Sequence, residues 1–232
     1  MKISALITAR GGSKGIPRKN LIEIDGKSLI SYSIEQALES RLITDIFVTS
    51  DSQGILTEAS SYSDVICVPR PIEFAEDMSL DIDVFKHFIQ WEKDNKLSQT
   101  EIIVHLRPTS PYRPNNLIDS AIESFLAIDE ENVSLRSVTH SPANPYKMWR
   151  IVNGCLEPLL CVDGIEEPFN SPRQLLPETF WQTGTIDIFH SRNIEDFGSS
   201  MGRNTYPYFI DQKDTVDIDN MTDIDQFKRL IK

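Results

Sequence analysis

The apolar run Ile3–Thr8, followed at once by Ala9-Arg10-Gly11-Gly12-Ser13-Lys14-Gly15-Ile16-Pro17-Arg18-Lys19-Asn20, constrains this chain more than any other stretch. An apolar run that stops at a pair of glycines reads as a buried strand opening into a loop whose backbone can come close to a ligand. From Met1 to Leu21 there are five basic residues, Lys2, Arg10, Lys14, Arg18 and Lys19, and no acidic one, on a chain of formal net charge −12. The field of such a protein repels anions. Only a concentrated cationic cluster with exposed N–H groups holds a polyphosphate against it, so the loop reads as a nucleotide phosphate-binding loop. It is neither familiar kind: Lys14 is followed by Gly15 and Ile16 rather than Ser or Thr, which excludes Walker A, and adjacent Gly11 and Gly12 break GxGxxG. Arg10 supplies a bidentate fork and Lys14 a mobile point charge, with Lys19 and Asn20 expected to line the same pocket.

At 232 residues and 40% hydrophobic, the chain has the size of one large α/β domain. No apolar stretch approaches the ~20 residues of a membrane span, and the first run is too short for a signal-peptide core. The expectation is a cytoplasmic protein starting at Met1, with no membrane partner. Cys67, Cys155 and Cys161 are odd in number and lack metal-ligand spacing, which fits inert thiols in a reducing compartment. A pI near 4.8 argues against a nucleic-acid partner, which requires a broad basic surface.

Strand-like runs alternate with amphipathic segments. Ile3–Thr8, Ile43–Thr49, Val65–Val68, Ile102–Leu106 and Asn132–Val138 read as strands, and Ser28–Glu39, Gln53–Ser60, Ile82–Asp94 and Asn116–Ile128 as helices. This rhythm predicts a parallel sheet in an α/β domain spanning 1–232. Between His140 and Pro177 it fails, six prolines falling among aromatics, and an irregular or hairpin-bearing insertion is expected there. Thr185–His190 and Thr215–Ile218 read as further strands, with a last helix from about Thr222, capped by Thr222 and Asp225, to Leu230. Ligands of parallel sheets sit at the carboxyl ends of strands, so loops 9–20, 50–52, 69–80 and 107–114 should share one rim.

In the strand-like run Thr215–Ile218, alternation would put Asp217 and Asp219 on one face with Ile218 on the other. Two carboxylates so spaced suit Mg²⁺, which prefers a couple of carboxylates plus water and substrate phosphate oxygens. No histidine has a metal-ligand partner at helical spacing. Asp51, at the end of a strand-like run, reads as reaching the site rim or, more simply, as a helix N-cap, and Tyr146, Trp149, Phe169, Phe180 and Trp181 as packing for the insertion or a subunit interface.

Five ordered motifs resemble the acylneuraminate cytidylyltransferase family, which makes CMP-linked nonulosonic acids. They are ARGGSKGIPRKN itself, Arg70-Pro71-Ile72-Glu73-Phe74-Ala75-Glu76-Asp77, Arg107-Pro108-Thr109-Ser110-Pro111-Tyr112-Arg113, Ser171-Pro172-Arg173-Gln174 with Leu176-Pro177, and Val216-Asp217-Ile218-Asp219. The resemblance spans nearly the whole chain. It implies a mostly parallel, Rossmann-like nucleotide-diphospho-sugar transferase sandwich of three layers with a hairpin-like insertion at 140–177. It also implies an Mg²⁺-dependent enzyme that transfers CMP from CTP to a sialic, legionaminic or pseudaminic-like α-keto acid and releases pyrophosphate.

By the same resemblance, Ala9, Arg10, Gly11, Gly12, Ser13, Lys14, Asn20, Asp77 and Ser79 bind nucleotide, and Arg10, Lys14, Asp217 and Asp219 carry catalysis. Arg107, Thr109, Ser110, Arg173, Gln174 and Thr183 meet the sugar. A homodimer formed through the insertion is expected, with Arg173 near the sugar carboxylate. Arg107 stands where sialic-acid members carry Gln, and Trp181–Asp187 departs from their RxNGAIY, so both bear on which sugar is accepted. A sugar-1-phosphate nucleotidyltransferase using GTP, UTP or CTP shares the loop and metal logic and differs in the acceptor.

Overall fold

The computed structural model describes residues 1–232. Strand β1 (Ile3–Thr8) is followed by the short ribbon β2 (Glu23–Ile24) and β3 (Lys27–Ser28), then α1 (Leu29–Glu39), β4 (Asp45–Ser50), α2 (Gln53–Ser60) and β5 (Val65–Pro69). The rhythm continues through α3 (Asp81–Asp94), β6 (Ile102–Leu106), α4 (Leu117–Leu126) and β7 (Val133–His140). A hairpin of β8 (Trp149–Val152) and β9 (Cys155–Pro158) precedes β10 (Phe180–His190), α5 (Arg192–Phe197), β11 (Asn204–Phe209) and α6 (Met221–Leu230).

Seven strands form one sheet in the order β11-β7-β10-β6-β1-β4-β5. The pairs β1/β4, β1/β6, β4/β5 and β7/β11 are parallel, while β10 runs antiparallel to both β6 and β7. The sheet is therefore mixed, with the one reversed strand inserted inside it.

Alternation along the strands sorts side chains into two cores. Ala5, Ile7, Val48 and Val104 face α1, α2 and α4 through Ile34, Ile55 and Ile122. Leu6, Phe47, Ile103 and Phe189 turn the other way onto Phe85 and Phe88 of α3 and Ile194 of α5. Each such buried side chain contributes about 1.5–3 kcal/mol. Helix, sheet and helix thus stack in three layers, and the parallel strands β1, β4, β5 and β6 release their following loops on one rim.

A third, smaller cluster lies beside that rim: Ile16, Ile24, Leu29, Val216, Ile218, Ile224 and Phe227. It ties the glycine-rich loop to the C-terminal segment.

Four expectations are corrected. Thr215–Ile218 belongs to no strand; the alternation of buried Val216 and Ile218 with exposed Asp217 and Asp219 comes from packing into the third cluster. Its backbone is fixed by the Ile218 amide donating to the Thr109 carbonyl at 2.7 Å. Strand β10 starts at Phe180, earlier than Thr185, with a bulge between Gln182 and Asp187 where Gly184 adopts φ +72°. Helix α6 is capped by Asn220 with Asp223, rather than Thr222 with Asp225: the Asn220 side chain accepts from the Thr222 and Asp223 amides, and Asp223 answers the Asn220 amide at 2.8 Å. Asp51 is no cap, because its carboxylate accepts the Gly11 amide instead. β11, unforeseen, is an edge strand containing Pro207.

The expected insertion carries the β8/β9 hairpin, whose turn Asn153-Gly154 has φ of 52° and 81°, the positive values a two-residue hairpin turn requires. Cys155 and Cys161 are exposed there, and Cys67 is half-buried.

Candidate active site

The loop after β1 is held from behind. Asn20 donates its side-chain amide to the Arg10 carbonyl at 2.9 Å, and Gly11 donates its N–H to Asp51 Oδ1 at 2.8 Å. Gly15 lies against the backbone of Asp219, so closely that a Cβ would stand 2.4 Å from the Asp219 carbonyl oxygen. Lys19 bridges to the same segment, donating to the Ile218 carbonyl and to Asp219 Oδ1 at 2.9 Å. Residues at opposite ends of the sequence thereby form one wall.

A cleft of about 360 Å³ opens on this rim, lined among others by Arg10, Gly12, Ser13, Asn20, Arg70 and Thr109. Across it, Asp77 takes Arg10 Nη1 at 3.1 Å and Lys14 Nζ at 2.6 Å. The Lys14 hydrogen bond, helped by Arg10, holds the Asp77 carboxyl below the usual range. Asp77 and Ser79 line the cleft, the latter with its hydroxyl on the Glu73 carbonyl at 2.8 Å.

Arg70 is the cation the sequence reading passes over. Its side chain is 5% exposed, its nearest carboxylate is Asp51 at 3.9 Å, and its Nε and Nη2 have no hydrogen-bond partner. Burial pushes its pKa down. Asn20 Oδ1 is likewise buried and unpaired. Buried polar atoms are almost always satisfied, so orphaned donors and an orphaned acceptor in one cleft fit a polar ligand.

At the far side, Arg107 lines both this cleft and a second cavity of about 470 Å³ formed with Trp181, Gln182, Thr183, Gly184 and Asp217. It donates to Asp187 Oδ2 at 2.7 Å and to Asp81 Oδ2 at 2.9 Å. Arg136, the register partner of Asp187 on β7, donates Nε to Asp187 Oδ1 at 3.0 Å and Nη1 to Gln182 Oε1 at 3.2 Å. Burial alone would lower Arg107 and raise Asp187; their mutual attraction outweighs it and shifts both toward the charged form. His105 is fully buried, with Nε2 2.9 Å from the Thr8 hydroxyl, and burial with the Arg107 charge lowers it to about 4, so it is neutral.

Ser110 and Thr183 are buried under the second cavity. Ser110 Oγ donates to the Thr183 carbonyl and Thr183 Oγ1 to Ser137 Oγ. Arg113 is buried too, with its guanidinium on the Thr185 and Arg107 carbonyls, Ser33 and Gln36; lacking a carboxylate, it is lowered to about 9 by burial. Ala9 is buried below the loop. Arg173 and Gln174 sit on the exposed turn 173–175 and line neither cavity.

Asp217 and Asp219 are both exposed at the rim. Crowding by the surrounding chain and the Asp219 charge raise the Asp217 pKa. Lys19 pairs with Oδ1 of Asp219 while the two carboxylates repel each other, and two hard oxygen ligands so placed fit a divalent cation such as Mg²⁺. The residues without a role in the sequence reading, Arg70 and Arg136, are brought in by loop closure and by strand register with Asp187, which closes the stretch Trp181–Asp187 read as bearing on the sugar; Arg70 lay in a quoted motif, and its place next to Pro71 was the available signal.

A family model described as Cytidylyltransferase matches residues 4–149. The chain is 30% identical to an N-acylneuraminate cytidylyltransferase of Escherichia coli over 97% of its own length and 51% of that protein's, so it spans about half of that relative. It is 30% identical to a CMP-N,N'-diacetyllegionaminic acid synthase of Campylobacter jejuni, covering 96% of this chain and 92% of the relative. Among solved structures, a CMP:2-keto-3-deoxy-manno-octonic acid synthetase complexed with CTP superposes with a TM-score of 0.70 at 14% identity, over 100% of this chain and 98% of that one. That likeness is one of fold.

Proposed function

The chain belongs to the cytidylyltransferase family, and on that premise we propose that it transfers CMP from CTP to a nonulosonic-type α-keto sugar acid, releasing pyrophosphate. The observation that carries this reading is a polar cleft lined by Arg10, Lys19, Asn20 and Asp77 that adjoins, through Arg107, a second cavity lined by Asp217, with Lys14 paired to Asp77 and Asp219 to Lys19 at the edges.

Arg10 and Lys14 exchange Asp77 for the triphosphate and neutralise the departing pyrophosphate. Arg70 and Asn20 find in the nucleotide the partners they lack in the free protein. The acceptor's anomeric 2-hydroxyl, placed from the second cavity, attacks the α-phosphorus in line; the new P–O bond forms as the bond to the β-phosphate oxygen breaks. Such a transfer asks the protein mainly for positioning and charge neutralisation. Asp217 and Asp219 would hold a divalent cation such as Mg²⁺, which when bound would supply further charge neutralisation at the phosphate.

Pyrophosphate release measured over the four nucleoside triphosphates, each with N-acetylneuraminate, N,N'-diacetyllegionaminate, pseudaminate and sugar 1-phosphates in the presence of Mg²⁺, tests the reading. Turnover confined to CTP with one of the keto acids, with the CMP-linked product identified by mass, is expected. Turnover of sugar 1-phosphates alone would assign the acceptor to that class instead, and no turnover with any pair rejects both.

A further inference from the structure

Two carboxylates hold Arg107, and they differ in kind. Asp187 is embedded in the sheet, with a side chain 5% exposed, and it is shared with Arg136. Asp81 stands on the first turn of α3 with a side chain 54% exposed, and Arg107 is its ion-pair partner. Asp187 cannot leave: it lies in register between Arg136 on β7 and His105 on β6, and withdrawing it would strand two cations. Asp81 can leave by a rotation of its side chain into solvent, because its carboxylate is on the exposed side of the pair and Arg107 keeps Asp187 when it goes, so the loss approaches the ~1 kcal/mol upper end of a surface pair.

The ion-paired charges around the guanidinium are Arg107 and Arg136 against Asp187 and Asp81, with His105 neutral, so this paired group is balanced only while Asp81 is in place; Asp217 stands as a separate carboxylate on the cavity wall. Arg107 is also the one cationic side chain that lines the cavity formed with Trp181, Gln182, Thr183, Gly184 and Asp217. A ligand entering that cavity with one negative charge meets an arginine already oriented from behind by Asp187 and neutralised in front by a loosely held carboxylate.

We propose that Asp81 is a specificity-determining stand-in for the acceptor's carboxylate: the sugar acid docks its carboxylate on Arg107 in exchange for Asp81, with Asp187 and Arg136 fixing the guanidinium throughout. The inference rests on the functional reading above and deepens it, since it names the group by which an acidic acceptor is told from a neutral one. No covalent step is involved; one ion pair is broken and one formed. Asp81 thereby sets a threshold that any acceptor must exceed, and uncharged sugars, which cannot replace the carboxylate, do not release it.

Asp81→Asn and Asp81→Glu separate the exchange from a structural role. With saturating CTP, Asp81→Asn is expected to lower KM for the sugar acid roughly three-fold, the size of the competing surface pair removed. Asp81→Glu should restore the wild-type value, and the inhibition constant of the acid's methyl ester should not move. Pyruvate and methyl pyruvate, titrated calorimetrically into the intact protein and into Asp81→Asn, read the same exchange without turnover. A protein that activates no sugar acid therefore fails the functional reading while still deciding this one. Tighter binding of pyruvate but not of its ester in Asp81→Asn supports the exchange; an unchanged or weaker affinity for the acid, or equal changes for acid and ester, overturns it.

Discussion

Gly15 and Asp219, far apart in sequence, touch backbone to side: a Cβ built on Gly15 would lie 2.4 Å from the Asp219 carbonyl oxygen. The contact sets how near the cationic loop comes to the carboxylate pair. Gly15→Ala must push the two apart by a fraction of an ångström or more, and the obstacle is backbone rather than the end of a flexible side chain. We expect kcat to fall about 100-fold, the order of loss a displacement near 1 Å produces, while the thermal midpoint moves little because the loop is at the surface. Steady-state kinetics beside a melting curve checks this; an Ala variant with wild-type kcat would show that the spacing is immaterial.

Arg70 is a buried charge without a close partner, which costs stability in the free protein. Replacing it with Met keeps much of the apolar stem. Stability and function should move oppositely: Arg70→Met raises the melting temperature of the free protein and raises KM for CTP about ten-fold or more, the range for a charged hydrogen bond. Calorimetry with and without CTP reads both quantities. A variant both less stable and unchanged in CTP affinity contradicts the assignment.

Asp217→Asn removes one of the two carboxylates while keeping its shape. Turnover should fall about 100- to 1000-fold or more with the fold retained, the order expected on losing one preorganised electrostatic contact to developing charge. Relief of the repulsion with Asp219 should leave the midpoint of unfolding equal or higher. Near-UV circular dichroism monitors the fold. Activity within a few-fold of wild type would remove Asp217 from the reaction.

His105 is lowered to about 4 by burial and by Arg107, against an ordinary value of 6.5. Its proton is therefore bound more readily by the unfolded chain. The stability this neutral histidine preserves is complete above pH 6.5 and is lost progressively as pH falls toward 4. The full swing is on the order of 3 kcal/mol. Comparing melting curves from pH 7 to 4 for the wild type and His105→Gln should show a shallower decline in the variant; parallel declines would mean that other groups govern acid unfolding.

The parallel half of the sheet was legible because each of its strands is a short apolar run followed by a helix with a clear amphipathic stripe. β6, Ile102–Leu106, is buried along its whole length and could hardly be read otherwise. The C-terminal third was harder. β11 alternates exposed and half-buried residues at the sheet edge and contains Pro207, which weakens any strand signal. Thr215–Ile218 gave the opposite error, since Val216 and Ile218 alternate as a strand does while packing into a loop-side cluster with no ladder beside them.

The site divides in the same way. Arg10, Lys14 and Asn20 are local to one loop, so their type and spacing suggest a phosphate site, and the structure places Arg10 and Asn20 on one polar cleft. Asp51 reads most simply as a cap because it ends a strand-like run just before α2; the competing Gly11 N–H, 40 positions away, is invisible to spacing. The group around Arg107 depends on β10 being reversed, which places Asp187 opposite both His105 and Arg136. No local pattern records that reversal.

The bridge from Lys19 to Asp219 spans 200 positions of the chain. A ribosome delivers the cationic loop early and the carboxylates late, so throughout synthesis the loop is finished long before the groups that complete it. The strands β1, β4 and β6 that carry the basic loop all precede the segment holding Asp217 and Asp219 by about 100 residues or more. The two walls of the cleft thus meet only when a 200-residue circuit closes.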